Sequence, residues 1–146
     1  MENKKIPADI LLVDDSPSDI RLINEMMDFR KLRASLHTVN SGAAAISFLR
    51  RENEYADKPQ ISLVLLDLNM RGKTGLEVLA EIKSDPALKN IPVIILTTSS
   101  LEADIVEAYK SHANCYLVKP MDLVGFERVV KAIENFWLTE VLPDGK

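Results

Sequence analysis

Five polar residues stand directly after short apolar runs of this sequence, where strands would end. Asp14 and Asp15 follow DILLV, and Asp67 follows ISLVLL. Thr97 follows PVIIL, and Lys119 follows CYLV. If these runs are parallel strands of an open α/β sheet, their carboxyl ends form one edge, and such sheets bind ligands at that edge. We therefore expect the five side chains to converge on one site.

Three neighbouring carboxylates repel one another, so they bind either protons or a cation. Mg²⁺ is the expected cation, because it prefers oxygen ligands and uses one or two carboxylates while it keeps several waters. Asp15 and Asp67 would bind it directly, and Asp14 would act through a bound water. A backbone oxygen would come from Asn69, where the chain turns out of its strand.

The two remaining polar residues suit a phosphoryl group. Lys119 supplies a compact positive charge for a phosphoryl oxygen, and Thr97 supplies a hydroxyl donor. Each polar residue alone has an ordinary explanation, because paired acids after a strand often cap helices. Their joint occurrence at successive strand ends, with a Lys-Pro pair at the last, favours a single functional site.

The segments around these residues predict an α/β fold. Apolar runs without clean alternation are typical of strands buried on both faces of a parallel sheet; they lie at 9–13, 61–66, 92–96 and 115–118, with a weaker candidate at 34–39. Helices are predicted near 16–28, 41–52, 74–84, 101–110 and 122–139. Capping patterns mark three helix starts, at 16–19, 74–77 and 99–102. The alternation predicts a doubly wound (βα)5 domain with a parallel five-stranded sheet.

The composition fits one domain over residues 1–146, with a short C-terminal extension after about residue 140. The net charge of −4 and the absence of a Lys and Arg run argue against nucleic-acid binding. The N-terminus lacks the apolar core of a signal peptide, and no apolar run approaches the roughly 18 residues of a membrane span, so we expect a cytoplasmic protein. Cys115 is expected to be a buried strand residue.

Four motifs, LLVDDS, LVLLDLNM, VIILTTS and YLVKP, resemble the strand ends of receiver domains from two-component response regulators. The resemblance covers essentially the whole chain and implies a flavodoxin-like sheet with strand order 2-1-3-4-5. It implies that Asp67 is the phosphoacceptor, that Asp14 and Asp15 are acidic Mg²⁺-site residues, and that Asn69 is the backbone ligand. Arg71 departs from the family pattern, which has a proline at this position, so the rigidity of that loop is in question.

The same resemblance assigns the phosphoryl-binding and switching groups. Thr97 is implied to be the hydroxyl that follows the phosphoryl group, and Lys119 the lysine that pairs with it. Tyr116, three positions before that lysine, is implied to be the aromatic switch residue. The bond between Lys119 and Pro120 would be cis.

A narrower resemblance concerns LTTS, HANCYLVKPMDL and IENFWL, which are similar to stand-alone regulators of bacterial phytochrome histidine kinases. It implies a sensor histidine kinase, of the phytochrome type, as phosphodonor. No output domain follows residue 142, so the response is expected to pass through an unknown effector protein.

The last predicted helix has more apolar residues than one buried face requires. The surplus forms either additional core or a partner surface, and we expect a homodimer through helix 4, strand 5 and helix 5; its interface residues would be Phe136, Trp137, Leu138 and Val141.

Three other functions fit parts of the sequence less well. A haloacid-dehalogenase phosphatase needs a second acid two residues after its nucleophile, where this chain has Asn69, and needs a cap for which the chain is too short. A flavodoxin-like binder of flavin or nucleotide needs glycines in the first turn, which here reads DDSPSD. A receiver that has lost its phosphoacceptor chemistry and survives as a binding module would lack some of these polar residues, but all of them are present. We therefore expect a phosphoacceptor switch that assists its own Mg²⁺-dependent phosphorylation and dephosphorylation, and not an enzyme with a separate substrate.

Overall fold

The protein is described by a computed structural model that covers residues 8–29, 34–120 and 122–136. Strands and helices alternate along these residues. The strands are β1 (Ala8–Val13), β2 (Ala34–Val39), β3 (Leu63–Leu66), β4 (Val93–Thr97) and β5 (Cys115–Val118). The helices are α1 (Pro17–Phe29), α2 (Gly42–Arg50), α3 (Gly75–Ser84), α4 (Glu102–Lys110) and α5 (Leu123–Phe136), and a 3₁₀ turn lies at Asn53–Tyr55.

The five strands form one sheet in the order β2-β1-β3-β4-β5, and every neighbouring pair is parallel. This arrangement confirms the predicted doubly wound fold and its strand order. The strand order reverses at β1, which pairs with β2 on one side and with β3 on the other. Ligands bind beside such a reversal in open α/β sheets, so the topology predicts a ligand site at the carboxyl ends of β1 and β3.

Side chains of the central strands alternate between two buried layers, as the period of two along a strand requires. On one face, Ile10, Leu12, Leu63, Leu65, Ile94 and Leu96 pack against α1 and α5 through Ile23, Met27, Phe126, Val129, Val130 and Ile133. On the other face, Leu11, Val13, Val64, Leu66, Val93 and Ile95 pack against α2, α3 and α4. Both faces are covered, which explains why the sequence of these strands shows continuous apolar runs.

One of the predicted capping patterns is confirmed, and another is wrong. At the start of α3, the hydroxyl of Thr74 accepts from the amide of Glu77 at 3.2 Å, and the carboxylate of Glu77 accepts from the amide of Thr74 at 2.8 Å. The pattern at 99–102 forms no such box, because the hydroxyl of Ser99 donates to the carboxylate of Asp104 at 2.6 Å. Helix α4 therefore begins at Glu102 without a side-chain cap.

Helix α5 was predicted to run to residue 139, and its described part ends at Phe136. Within the described ranges, every helix is too short or too polar to cross a lipid bilayer.

Candidate functional site

The sheet places three charged residues side by side, because its backbone hydrogen bonds continue one residue past the strands. The amide of Asp14 donates to the last carbonyl of β2 at 3.1 Å, and the amide of Asp67 donates to the last carbonyl of β1 at 3.0 Å. The amide of Lys119 donates to the last carbonyl of β4 at 2.7 Å. These bonds fix the three residues in register at the carboxyl edge, as their positions after apolar runs predicted.

The acids after β1 and β3 form one cluster. Each of Asp14, Asp15 and Asp67 offers a carboxylate oxygen, and these oxygens all lie within 4.8 Å of one another. Asp14 and Asp67 are buried, whereas Asp15 is partly exposed. The amide of Asn69 donates to Oδ1 of Asp67 at 3.2 Å, and the amide of Arg71 donates to Oδ2 of Asp15 at 3.3 Å. The loop after β3 thus folds back over the carboxylates.

The cluster has the donor set of a site for Mg²⁺ or a similar hard cation. Three carboxylates and a backbone carbonyl are the oxygen ligands that such ions prefer. Among the described residues, none donates a hydrogen bond to the carbonyl oxygen of Asn69, so that oxygen is available for a cation. The residues present therefore fit the ion that the sequence predicted, and the role of Asn69 as backbone ligand stays a prediction.

Lys119 neutralises part of this negative charge from inside the protein. Its side chain is 3% exposed, and its ammonium lies 2.6 Å from Oδ2 of Asp14, 3.1 Å from Oδ2 of Asp67 and 2.9 Å from Oδ2 of Asp19. Burial alone would lower the pKa of Lys119, but the hydrogen bonds to Asp14 and Asp19 and the charges of Asp14 and Asp67 raise it above its ordinary value. The ammonium is therefore charged throughout the physiological pH range.

In Asp14, the effect of burial on the pKa outweighs the contacts that oppose it, whereas in Lys119 the contacts outweigh the effect of burial. Its burial raises the pKa of the carboxyl above the ordinary value, although the hydrogen bond and charge of Lys119 and the amide of Ser16 act to lower it. One carboxylate oxygen accepts from Lys119 and the other accepts from the amide of Ser16 at 2.9 Å. A fully buried carboxylate needs such partners, because burial without them costs several kcal/mol.

Asp19 was not recognised as a site residue from the sequence. Its position three residues after Ser16 is explained by helix capping, and its amide does lie 3.4 Å from the hydroxyl of Ser16. In the fold, the carboxylate of Asp19 also reaches Lys119, 100 positions away in the chain. The sequence signal was an acid in the first turn of α1, which is the turn that follows the Asp14 and Asp15 pair. Only the docking of β5 shows that this turn faces the lysine.

The predicted switch residues lie on neighbouring strands. Thr97 is fully buried, and its hydroxyl is 3.4 Å from the amide nitrogen of the Asn69 side chain. The ring of Tyr116 is partly buried against the core, and its hydroxyl donates to the carbonyl of Ser99 at 2.9 Å. Thr97, the last residue of β4, therefore contacts the loop after β3, and Ser99, two residues further on, contacts the tyrosine.

Gly75, the first residue of α3, lies directly against the backbone of Asp67. A Cβ atom at this position would lie 2.2 Å from the backbone oxygen of Asp67 and 2.6 Å from Cα of Leu68. No side chain fits at these distances, so only glycine lets α3 begin directly against the end of β3. The close approach holds the backbone of Asp67 at the carboxyl edge.

The structure does not describe the expected interface residues, and it differs from the expectation for one peptide bond. The expected interface residues Trp137, Leu138 and Val141, together with the side chain of Phe136, lie outside the described residues.

The peptide bond between Lys119 and Pro120 was expected to be cis, but it is trans, as is every peptide bond in the described ranges. The expectation rested on the family resemblance alone, and X–Pro bonds differ little in energy between the two isomers.

The fold and the site together define a class of protein: a (βα)5 domain whose carboxyl edge holds an acidic cluster against a buried lysine. The family model for the response regulator receiver domain matches residues 10–134. The chain therefore belongs to the response regulator receiver domain family.

Individual relatives are similar over nearly the whole chain. The response regulator Rcp1 of Synechocystis sp. (strain ATCC 27184 / PCC 6803 / Kazusa) is 46% identical over 135 residues, which are 92% of this chain and 92% of that protein. The crystal structure of the phosphorylated cyanobacterial phytochrome response regulator RcpA is 47% identical, with a TM-score of 0.86 over 92% of this chain and 96% of that one. The Mn²⁺-bound form of Rcp1 is 46% identical, with a TM-score of 0.85 over 92% and 97% of the two chains.

Proposed function

We propose that this protein accepts a phosphoryl group onto Asp67, with Mg²⁺, from a sensor histidine kinase. The observation that carries the proposal is the buried ammonium of Lys119, 3.1 Å from Oδ2 of Asp67, beside the carboxylates of Asp14 and Asp15. A buried cation next to a carboxylate at a ligand-binding edge suits an anion that forms on that carboxylate. The similarity to a phosphorylated receiver supports the same chemistry.

The transfer is a single displacement at phosphorus. An oxygen of Asp67 forms a bond to phosphorus while the P–N bond of the kinase phosphohistidine breaks, and the imidazole leaves with the electron pair and takes a proton from solvent. Lys119 pairs with a phosphoryl oxygen, and Thr97 offers its hydroxyl to another. Asp15, Asp67 and the carbonyl of Asn69, with Asp14 through a water, would hold a Mg²⁺ ion, which would supply positive charge for the transferred group. The Mn²⁺-bound form of the relative Rcp1 supports a divalent cation at this site.

The partners are proposed from the relatives. The phytochrome response regulators among them favour a phytochrome histidine kinase as phosphodonor. The chain would then act as a switch in the cytoplasm and not as an enzyme with its own substrate. Its own groups would assist both the formation and the hydrolysis of the acyl phosphate, and an effector protein would read the phosphorylated state.

We also propose that two copies associate through α4, β5 and α5. Four apolar side chains on the described part of this face are exposed: Leu101, Val106 and Tyr109 of α4 or its N-cap, and Val118 of β5. Large apolar side chains that several neighbouring elements expose to solvent favour association with another surface of the same kind. A movement of Thr97 towards the phosphoryl group would alter the loop that leads into α4, which links the site to this face.

The acceptor assignment is tested with Asp67→Asn and with the matched control Asp57→Asn, an exposed acid outside the site. Intact-mass analysis after incubation with acetyl phosphate and Mg²⁺ should show one phosphoryl group on the wild type and on the control, and none on Asp67→Asn. Removal of the cation with EDTA should stop labelling of the wild type. Normal uptake by Asp67→Asn, or labelling at full rate in EDTA, would contradict the proposal.

A further inference from the structure

The ammonium of Lys119 has three protons, and each has a different carboxylate partner. Asp14 and Asp67 belong to the cation and acceptor site, whereas Asp19, at 2.9 Å, has no role in the proposed function. A lysine has four rotatable carbon bonds, so its charged end is fixed only by the groups that surround it. Asp19 is therefore one of three groups that determine where the ammonium lies.

Asp19 differs from the other two partners in its exposure. Its side chain is 25% exposed, compared with 0% for Asp14 and 7% for Asp67. It is the carboxylate nearest to solvent, and it approaches Lys119 from the first turn of α1 and not from a strand. Asp14 attracts the ammonium towards the protein interior, and Asp19 attracts it outward.

The outward attraction matters when Asp67 is modified. A phosphoryl group extends beyond the carboxylate, so the ammonium must lie far enough out to meet a phosphoryl oxygen during transfer. A lysine held only by the buried Asp14 and by Asp67 would lie deeper in the site. Charge-assisted hydrogen bonds of this kind are strong enough to decide such a position.

We propose that Asp19 is a positioning residue for phosphoryl transfer, which acts through Lys119 and touches neither the cation nor the phosphoryl group. This inference rests on the proposed function of Asp67 as acceptor. It assigns to Asp19 a part in the reaction in addition to its place in the first turn of α1. Helix formation alone would require no contact between this carboxylate and a lysine 100 positions away.

The test compares Asp19→Asn and Asp19→Glu with the wild type, and uses Asp28→Asn as matched control, because Asp28 is an exposed acid on the same helix. The first readout needs no phosphorylation: the ¹⁵N-labelled ammonium signal of Lys119 is recorded in the resting protein. In the wild type and in Asp28→Asn, its protons should exchange slowly with water. In Asp19→Asn they should exchange about tenfold faster, because one of three strong acceptors is weakened.

The second readout is the rate of Asp67 labelling by acetyl phosphate at saturating Mg²⁺. Asp19→Asn should be about tenfold slower, which corresponds to the loss of one charge-assisted hydrogen bond in the transition state. Asp19→Glu restores the charge on a longer stem and should recover part of the rate. The affinity of the resting protein for Mg²⁺ should be the same in all variants, since Asp19 is not a ligand.

Three results would overturn the inference. They are a wild-type labelling rate in Asp19→Asn, a weakened affinity of resting Asp19→Asn for Mg²⁺, and an ammonium signal that is unchanged in both Asp19 variants. The second result would make Asp19 part of the cation site. If the wild type itself took up no phosphoryl group, the proposed function would fail, but the ammonium exchange would still test the contact between Asp19 and Lys119.

Discussion

The phenolic hydroxyl of Tyr116 donates a hydrogen bond to the backbone carbonyl of Ser99, and the two oxygens are 2.9 Å apart. This bond connects β5 to the loop that follows β4, two residues after Thr97. The hydroxyl of Ser99 is held as well, because it donates to Asp104 at the start of α4. A movement of Thr97 towards a phosphoryl group would therefore act on a loop that Ser99 holds through these two contacts.

Tyr116→Phe keeps the ring and removes this bond, so it tests the connection directly. We expect faster amide hydrogen exchange in residues 98–101 of the resting protein and a loss of about 0.5–1.5 kcal/mol in the free energy of unfolding. Labelling of Asp67 should persist, because the hydroxyl does not contact the site. Tyr109→Phe on the exposed face of α4 is the control. Unchanged exchange in the loop would show that the bond does not restrain it.

Gly75→Ala should displace the acceptor. The added methyl group would overlap the backbone of Asp67 and Leu68, so we expect a loss of about 1–3 kcal/mol in stability and slower labelling of Asp67. Gly72→Ala is an informative comparison, because Gly72 has a φ of 76° but no atom within 4 Å of an added Cβ. It should cost about 1–2 kcal/mol through backbone strain and leave the labelling rate near that of the wild type. Denaturant unfolding and intact-mass time courses measure both effects, and equal labelling rates in the two variants would contradict the steric argument.

A charge on the α4–β5–α5 face should weaken self-association without loss of phosphorylation. Val106→Glu alters the described part of this face, and Leu138→Glu alters the part expected from the sequence. Leu123→Glu is the matched control, because Leu123 is equally apolar and exposed but lies beside Leu22 and Met26 of α1. Sedimentation with and without phosphodonor should show weaker dimers for the first two variants only. A wild type that stays monomeric at high concentration in both states would exclude the dimer.

Cys115 should react slowly with thiol reagents at neutral pH. Burial raises the pKa of this thiol, and the hydrogen bond from the amide of Tyr116 offsets that effect only in part. A raised pKa lowers the thiolate fraction at neutral pH, by about tenfold for each unit, and the thiolate is the reactive form. The rate of reaction with a disulfide reagent should therefore rise at a higher pH in the native protein than in guanidinium. Since this is the single cysteine of the chain, Cys115→Ser gives the background. Identical pH midpoints in the two states would refute the expectation.

The sequence was sufficient to predict the fold and most of the site because both depend on register. Once the apolar runs are parallel strands, residues that follow them must meet at the carboxyl edge, and Asp14, Asp67 and Lys119 do so. Asp19 could not be predicted in the same way, since its contact depends on how the first turn of α1 faces the end of β5. A helical residue can satisfy a capping pattern and a tertiary contact together, and only the first is visible in the sequence.

Two smaller errors have local causes. The run CYLV predicted a buried strand, but its side chains are half-buried or exposed, because β5 is an edge strand with a neighbour on one side only. The pattern at 99–102 predicted a cap, but Ser99 uses its hydroxyl for Asp104. In the first case the described sheet lacks a neighbouring strand on one side, and in the second an acid five positions further along the chain competes for the hydroxyl.

The ion cluster also joins the two ends of the folded chain. Lys119 comes 105 positions after Asp14 and 100 after Asp19, so its contacts with these two acids link the first strand and first helix to the last strand. During synthesis, the acids of β1 and α1 leave the ribosome well before the lysine that neutralises them. A nascent chain without β5 would have to bury Asp14 with no cation partner, which burial energetics oppose. The edge that is proposed to receive the phosphoryl group is thus completed only when β5 docks, and an incomplete chain would make a poor substrate for the kinase.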